Sequence, residues 1–84
     1  MMRADGFEEA EIGIGRGFSG GRIIYDYDKC VQILVSRDEM SQEDAIEYME
    51  FNVVNGWIGE DTPIFIEKME SAEIDQYADD MTGP

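Results

Sequence analysis

Residues 41–66 read SQEDAIEYMEFNVVNGWIGEDTPIFI, and this stretch decides the predicted fold. Ser41 is a natural helix N-cap, because its hydroxyl can accept a free backbone N–H of the first turn. Asp44 follows three residues later, as in a capping box with a shorter acid. Apolar residues then recur at helical spacing, namely Ala45, Ile46, Met49 and Val53. The pattern predicts a helix that ends at Asn55-Gly56, where glycine favours a left-handed turn.

A short strand is predicted after this helix. Pro63 pushes the backbone of Thr62 towards extended geometry, which argues against a continuing helix. The apolar run at residues 64–66 (IFI) then predicts a buried strand.

The residues before Ser41 predict a hairpin and a first helix. Residues 10–16 alternate isoleucine with glycine and predict a strand whose isoleucines face inward, and residues 22–27 (RIIYDY) predict a second strand. The glycine-rich loop between them is of hairpin length, so we expect antiparallel pairing. Asp28 is expected to cap a helix that runs to Arg37. The residues expected on its buried face are Cys30, Val31, Ile33 and Leu34.

The order of these elements is β-β-α-α-β. Strands and helices that are segregated along the chain predict an α+β fold, here a small three-stranded antiparallel sheet covered on one face by two helices. We expect residues 1–66 to form this single α+β domain. Residues 67–84 carry many acids against Lys68 alone, so they predict an acidic C-terminal helix or tail.

Charge is the most unusual property of the chain. Its 84 residues include 20 acidic and 6 basic residues and no histidine, which gives a formal net charge of −14. Such a charge repels nucleic acid and anionic membrane surfaces, but it attracts a basic partner. Cys30 is the only cysteine, so neither an internal disulfide nor a cysteine zinc site is expected. These features predict a cytoplasmic protein that binds neither nucleic acid nor membranes directly.

Two short patterns in the sequence are similar to known ligand-binding motifs. Residues 15–20 (GRGFSG) match the dinucleotide-binding fingerprint, but that motif requires a following helix, and residues 22–25 predict a strand. Residues 26–28 (DYD) lack the spacing of a calcium loop, which favours a strand end and helix cap. Without histidine or an activated serine pattern, nucleophilic catalysis has little support. We therefore expect no catalytic residue, no cofactor and no metal, and hence no enzyme.

The acids themselves are the remaining candidate feature. They could simply keep a small protein soluble. Alternatively they form a negative surface that occupies a basic groove normally holding nucleic acid, with tyrosine and tryptophan side chains as anchors. The residues expected to bind such a partner are Glu43, Asp44, Glu47, Glu50, Glu60, Asp61 and Trp57, and the further aromatic candidates are Tyr25, Tyr27 and Tyr48.

Positions 5–66 contain a set of spaced residues, namely Asp5-Gly6-Phe7, Ile12-Gly13-Ile14-Gly15, Tyr25-Asp26, Leu34, Met40-Ser41, Glu43, Ala45, Phe51-Asn52-Val53, Gly56, Gly59-Glu60 and Thr62-Pro63. This set resembles small acidic proteins of unassigned function that bacteriophages encode. The resemblance implies a viral accessory protein, a group that includes inhibitors of restriction and CRISPR effectors. If the chain is encoded by a phage, it would act in the cytoplasm of the host cell.

The leading hypothesis is a non-catalytic phage-type accessory protein that binds a basic, nucleic-acid-handling host protein through its acidic surface. The small core also allows a homodimer, since pairing would enlarge it. One alternative is a small-ligand binding protein that uses the glycine hairpin with Tyr25 and Trp57. Another is a divalent-metal-dependent enzyme that uses clustered carboxylates.

Overall fold

A computed structural model describes residues 2–17, 20–56 and 61–81 of the chain. The α+β class is confirmed, and a third helix follows the predicted strands and helices. The strands are β1 (Glu11–Gly15), β2 (Arg22–Asp26) and β3 (Ile64–Ile66), and the helices are α1 (Tyr27–Arg37), α2 (Gln42–Tyr48) and α3 (Ser71–Met81). A 3-10 turn at Glu8–Ala10 precedes β1, and a π-helical segment at Met49–Val54 continues α2.

The three strands form one sheet in the order β1-β2-β3. β1 and β2 pair antiparallel, as the hairpin predicted. β2 and β3 pair parallel, with Tyr25 beside Phe65, so the expected all-antiparallel sheet is wrong. Parallel neighbours need a long crossover connection, and the helices between β2 and β3 supply it.

Helix α1 begins one residue after β2 ends. The carboxylate of Asp26 accepts a hydrogen bond from the backbone N–H of Lys29 at 3.3 Å, so Asp26 is the N-cap rather than Asp28. A capping aspartate satisfies one of the free N–H groups of the first turn. The side chain of Lys68 adds an ion pair to the same carboxylate at 3.4 Å. Tyr27 therefore belongs to the helix and not to the strand.

The core lies between the sheet, α1 and the inner side of α2. The predicted buried face of α1 is confirmed, since all four of its residues are buried. Tyr25 is fully buried, stacks on Phe65 with ring centroids 5.2 Å apart, and accepts a hydrogen bond from the Ala4 N–H at 2.8 Å. The buried apolar residues are Ala4, Phe7, Ala10, Ile23, Tyr25, Cys30, Val31, Ile33, Leu34, Ala45, Met49 and Val53.

The isoleucines of β1 are not buried, contrary to the sequence prediction. Ile12 is 47% exposed and Ile14 is 55% exposed. Ile14 pairs with the buried Ile23 of β2 and so lies on the same face of the sheet. α1 packs against the central strand β2, which leaves the outer part of that face at β1 uncovered. An irregularity in register between Glu11 and Gly13 also disturbs the strand at Ile12.

Gly56 follows the π-helical segment, but it does not adopt the predicted left-handed backbone. A Cβ atom at this position would lie 2.6 Å from the carbonyl oxygen of Asn52. Glycine is thus suited to this position because the backbone passes too close for a side chain.

The acidic C-terminal region contains an exposed helix. Every residue from 71 to 79 is exposed to solvent, including Ile74 and Tyr77. The helix is acidic in its first turn at Glu73 and has no basic residue in its last turn. α3 therefore contributes no buried side chain to the core over these residues.

Candidate protein-binding surface

Helix α2 positions the acids of the candidate surface. The hydroxyl of Ser41 accepts a hydrogen bond from the backbone N–H of Asp44 at 3.1 Å, so the predicted N-cap is confirmed. Ala45, Met49 and Val53 are buried at intervals of four residues and fix which side of the helix faces the core. The opposite side is left to solvent, and it carries the exposed acids Glu43, Asp44, Glu47 and Glu50.

Glu50 differs from the other acids of this surface because it has a partner within the fold. Its Oε2 accepts a hydrogen bond from the hydroxyl of Tyr27 at 2.9 Å. Burial and this hydrogen bond raise the pKa of Tyr27 to about 12. The contact joins the start of α1 to the π-helical segment, so Glu50 helps to hold the surface in place.

Within residues 2–17, 20–56 and 61–81, no ion pair involves the other acids of α2. Ion pairs in the described part of the chain lie elsewhere, joining Arg3 with Glu11, Arg37 with Asp38, and Lys68 with Asp26. The sequence has no basic residue between Arg37 and Lys68. Glu43 and Glu47 are also four residues apart, a spacing at which like charges cost about 0.2–0.5 kcal/mol of helix stability. Folding gains nothing from that repulsion, which makes these acids candidates for binding.

The expected loop contribution to this surface is only partly described. Trp57 and Glu60 lie outside the described residues. Asp61 is half-buried beside the glycine hairpin, and its Oδ1 would lie 3.9 Å from a Cβ atom at Gly20. That neighbour belongs to the β1–β2 connection and not to α2, so the structure gives Asp61 a local environment different from that of the helix acids.

The aromatic candidates also separate into different environments. Tyr25 is fully buried and is wrong as a surface anchor. Tyr27 is half-buried against Glu50, whereas Tyr48 is 40% exposed. Phe51 was not among the predicted anchors, yet it is 73% exposed, more than any other large apolar residue in the described ranges. Its position midway between Met49 and Val53 is the signal that could have identified it.

Tyr48 and Phe51 line a shallow cleft of about 420 Å³ on the exposed side of α2. Two of the predicted acids, Asp44 and Glu47, line the same cleft. Its remaining lining residues are Met40 and Asn52. The structure thus brings apolar and acidic side chains together at one place on the candidate surface.

Two further cavities bear on the alternative functions. A groove of about 500 Å³ lies between α1 and α2, with Val31, Val35 and Ile46 among its lining residues. A smaller cleft of about 260 Å³ lies at the glycine hairpin, where β2 rather than a helix follows the GRGFSG sequence. Tyr25 lines neither cavity. Over residues 2–17, 20–56 and 61–81, no three acidic or cysteine side chains are grouped as metal ligands.

No helix within the described ranges is long and apolar enough to cross a membrane. Comparison of the chain with family models, with characterised proteins and with solved structures gives no match. The geometry of the surface is therefore the basis for the functional argument.

Proposed function

We propose that this chain is a non-catalytic, phage-type accessory protein that binds a basic, nucleic-acid-handling host protein through the exposed acids of α2. The observation that carries this proposal is the row Glu43, Asp44 and Glu47, which faces solvent with no cation nearby in sequence. Such a row presents closely spaced negative charges on a rigid helix. A groove built to hold phosphates offers complementary positive charges.

Electrostatics supports this class of partner in two ways. A net charge of −14 steers a basic protein towards the chain and increases the association rate. The same charge disfavours direct contact with nucleic acid, because phosphates would be repelled rather than neutralised. An inhibitor that mimics nucleic acid needs both properties. In this proposal the protein acts in the cytoplasm of the host cell.

The phage-type assignment rests on the resemblance of residues 5–66 to small phage proteins. It makes a restriction or CRISPR effector, or another basic nuclease or polymerase, the first kind of partner to test. Expression of the chain in a bacterial host that restricts phage growth measures this directly. Restored phage plaque formation is the expected result, and unchanged restriction in every such host would contradict the anti-defence assignment.

The binding surface is tested by capture from bacterial lysate at low salt, followed by elution in a salt step. The variant E43Q/D44N/E47Q removes three charges from α2, whereas E70Q/E73Q/D75N removes three from the C-terminal region and leaves the same net charge. We expect a basic nucleic-acid-handling protein to be retained by the wild type and by the second variant, but not by the first. Equal loss with both variants would show that only total charge matters.

A small-ligand binding protein is the second candidate, favoured by the groove between α1 and α2. Val31, Val35 and Ile46 give this groove an apolar lining of the kind that ligand pockets have. A ligand that binds the folded chain raises its melting temperature. A panel of nucleotides and metabolites that leaves the melting temperature unchanged would count against this candidate.

A further inference from the structure

Phe51 is a large apolar side chain that the fold leaves on the surface. Its neighbours Met49 and Val53 point into the core, so the ring of Phe51 lies on the outer side and is 73% exposed. Tyr48 adds a second exposed ring to the same cleft, and Met40, which also lines it, packs against the core. Large exposed apolar side chains grouped in a cleft are characteristic of binding sites rather than of inert surface.

The backbone beneath Phe51 is also unusual. Met49–Val54 forms a π-helix, a rare conformation that occurs frequently at functional sites. The backbone N–H groups within a helix donate hydrogen bonds to carbonyl groups of the same helix. This surface therefore offers a partner side chains and no free strand edge. A partner must therefore recognise it through side chains, as a helix laid into a groove does.

Charge identifies the chemistry of that partner. Asp44 and Glu47 line the cleft together with its apolar side chains, and Glu43 is exposed one turn from Glu47. A complementary surface needs an apolar side chain for the cleft and basic side chains for the acids around it. A second copy of this chain would bring like charges together, since each carries −14.

From these observations we infer that the cleft beside Phe51 receives an apolar side chain from a basic amphipathic helix of the partner. This inference rests on the proposed function and identifies the part of the partner that is recognised. Asp44 and Glu47 would pair with lysine or arginine residues on either side of the inserted side chain. Phe51 would act as the main contact, because a few aromatic anchors carry most of the energy of an interface.

The test uses two synthetic probe peptides of leucine and lysine, each about 15 residues long. The first places leucine at i, i+3, i+4 and i+7, so that it forms one apolar stripe. The second has the same composition with leucine distributed around the helix. Binding to the full chain is measured by isothermal titration calorimetry, and the contact surface is mapped by backbone amide chemical shifts.

We expect the wild type to bind the striped peptide about tenfold more tightly than the scrambled one, as one good anchor contributes more than 1 kcal/mol. Phe51→Ser should remove this preference. The matched control Tyr77→Ser removes an aromatic side chain that is 55% exposed on the acidic helix α3, and it should keep the preference. Amide shifts in the wild type should concentrate in residues 40–52.

The outcomes separate this inference from the proposed function. A preference that survives Phe51→Ser, or one that Tyr77→Ser abolishes equally, overturns the inference. If the inference fails in this way but E43Q/D44N/E47Q still binds both peptides more weakly than the wild type does, the acids of α2 contribute to binding without the apolar contact. If this triple variant binds both peptides as tightly as the wild type, the proposed binding surface fails together with the inference. Shifts confined to the α1–α2 groove would also overturn the inference.

Discussion

The hydroxyl of Tyr27 donates a hydrogen bond to Oε2 of Glu50 across 2.9 Å, and this bond joins the first residue of α1 to the π-helical segment. The two residues are 23 positions apart in sequence, and the bond connects α1 to the segment that continues α2. The same contact engages one carboxylate oxygen of Glu50, an acid of the candidate surface that stays exposed.

Tyr27→Phe should lower the free energy of unfolding by about 1 kcal/mol, the usual net contribution of a hydrogen bond. The substitution keeps the ring and removes only the donor to Glu50. Urea denaturation measures the change, and Tyr48→Phe on the exposed side of α2 is the matched control. Equal stability of Tyr27→Phe and the wild type would mean that the bond does not hold the π-helical segment in solution.

Stability should decrease at alkaline pH. Burial, with the hydrogen bond to Glu50, raises the pKa of Tyr27 to about 12, and burial raises the pKa of Cys30 to about 12. Both groups keep their protons in the folded chain at pH values where the unfolded chain releases them, so folding loses stability as pH rises from about 9 to 12. Unfolding measured in urea at successive pH values tests this. In Tyr27→Phe the decrease above pH 10 should be smaller, and an identical decrease would assign it to other groups.

Cys30 should react slowly with thiol reagents in the native protein. The side chain is fully buried, and its raised pKa leaves little thiolate, which is the reactive form. Labelling with a chromogenic disulfide near pH 8 should be slow without urea and fast in it, so its rate reports opening of the core. Rapid labelling of the native chain would show that α1 separates readily from the sheet.

Gly56→Ala should destabilise the fold by about 1–3 kcal/mol, the range for forced overpacking, because its Cβ would lie 2.6 Å from the Asn52 carbonyl oxygen. Gly13→Ala is the control, since a Cβ there meets no atom within 4 Å. Thermal and urea unfolding measure both. Gly56→Asn should be at least as harmful as alanine. Rescue by asparagine would instead indicate the left-handed turn that the sequence suggested.

Removal of α3 should leave the stability of the core nearly unchanged. Residues 71–79 are all exposed, so a chain that ends at Glu70 should unfold within about 0.5 kcal/mol of the full chain, as surface changes usually do. Phe65→Ala, which removes the ring stacked on Tyr25, should be clearly destabilising in the same assay. A loss of more than about 1 kcal/mol on truncation would show that α3 packs against the core in solution.

Local patterns predicted the helices well because their causes are local. The Ser41 cap depends on one hydroxyl and a nearby N–H group, and the buried stripe of α1 depends on helical spacing. The cap of α1 was misplaced by two residues because Asp26 and Asp28 are equally suitable caps in sequence. Only the end of β2 at Asp26 selects the first of them.

The candidate surface was predictable in part for the same reason. Helical spacing alone places Glu43 and Glu47 opposite Ala45 and Met49, and the structure leaves both acids exposed. Residue spacing does not predict which aromatic side chains stay exposed to solvent. Tyr25 was a candidate anchor because tyrosine is enriched at interfaces, yet the packing of Phe65 and the N-terminal segment buries it completely.

The sequence by itself determined the α+β class, the hairpin, the cap at Ser41 and the negative charge of the chain, because each depends on residues close together in the chain or on composition. Tertiary structure decided the parallel pairing of β3, the exposure of Ile14 and Phe51, and the contact between Tyr27 and Glu50. These features depend on which helix and strand faces come into contact when segments distant in sequence pack together. Burial of one face of an element leaves its other face exposed to solvent. Residue spacing within a single element carries no information about that choice.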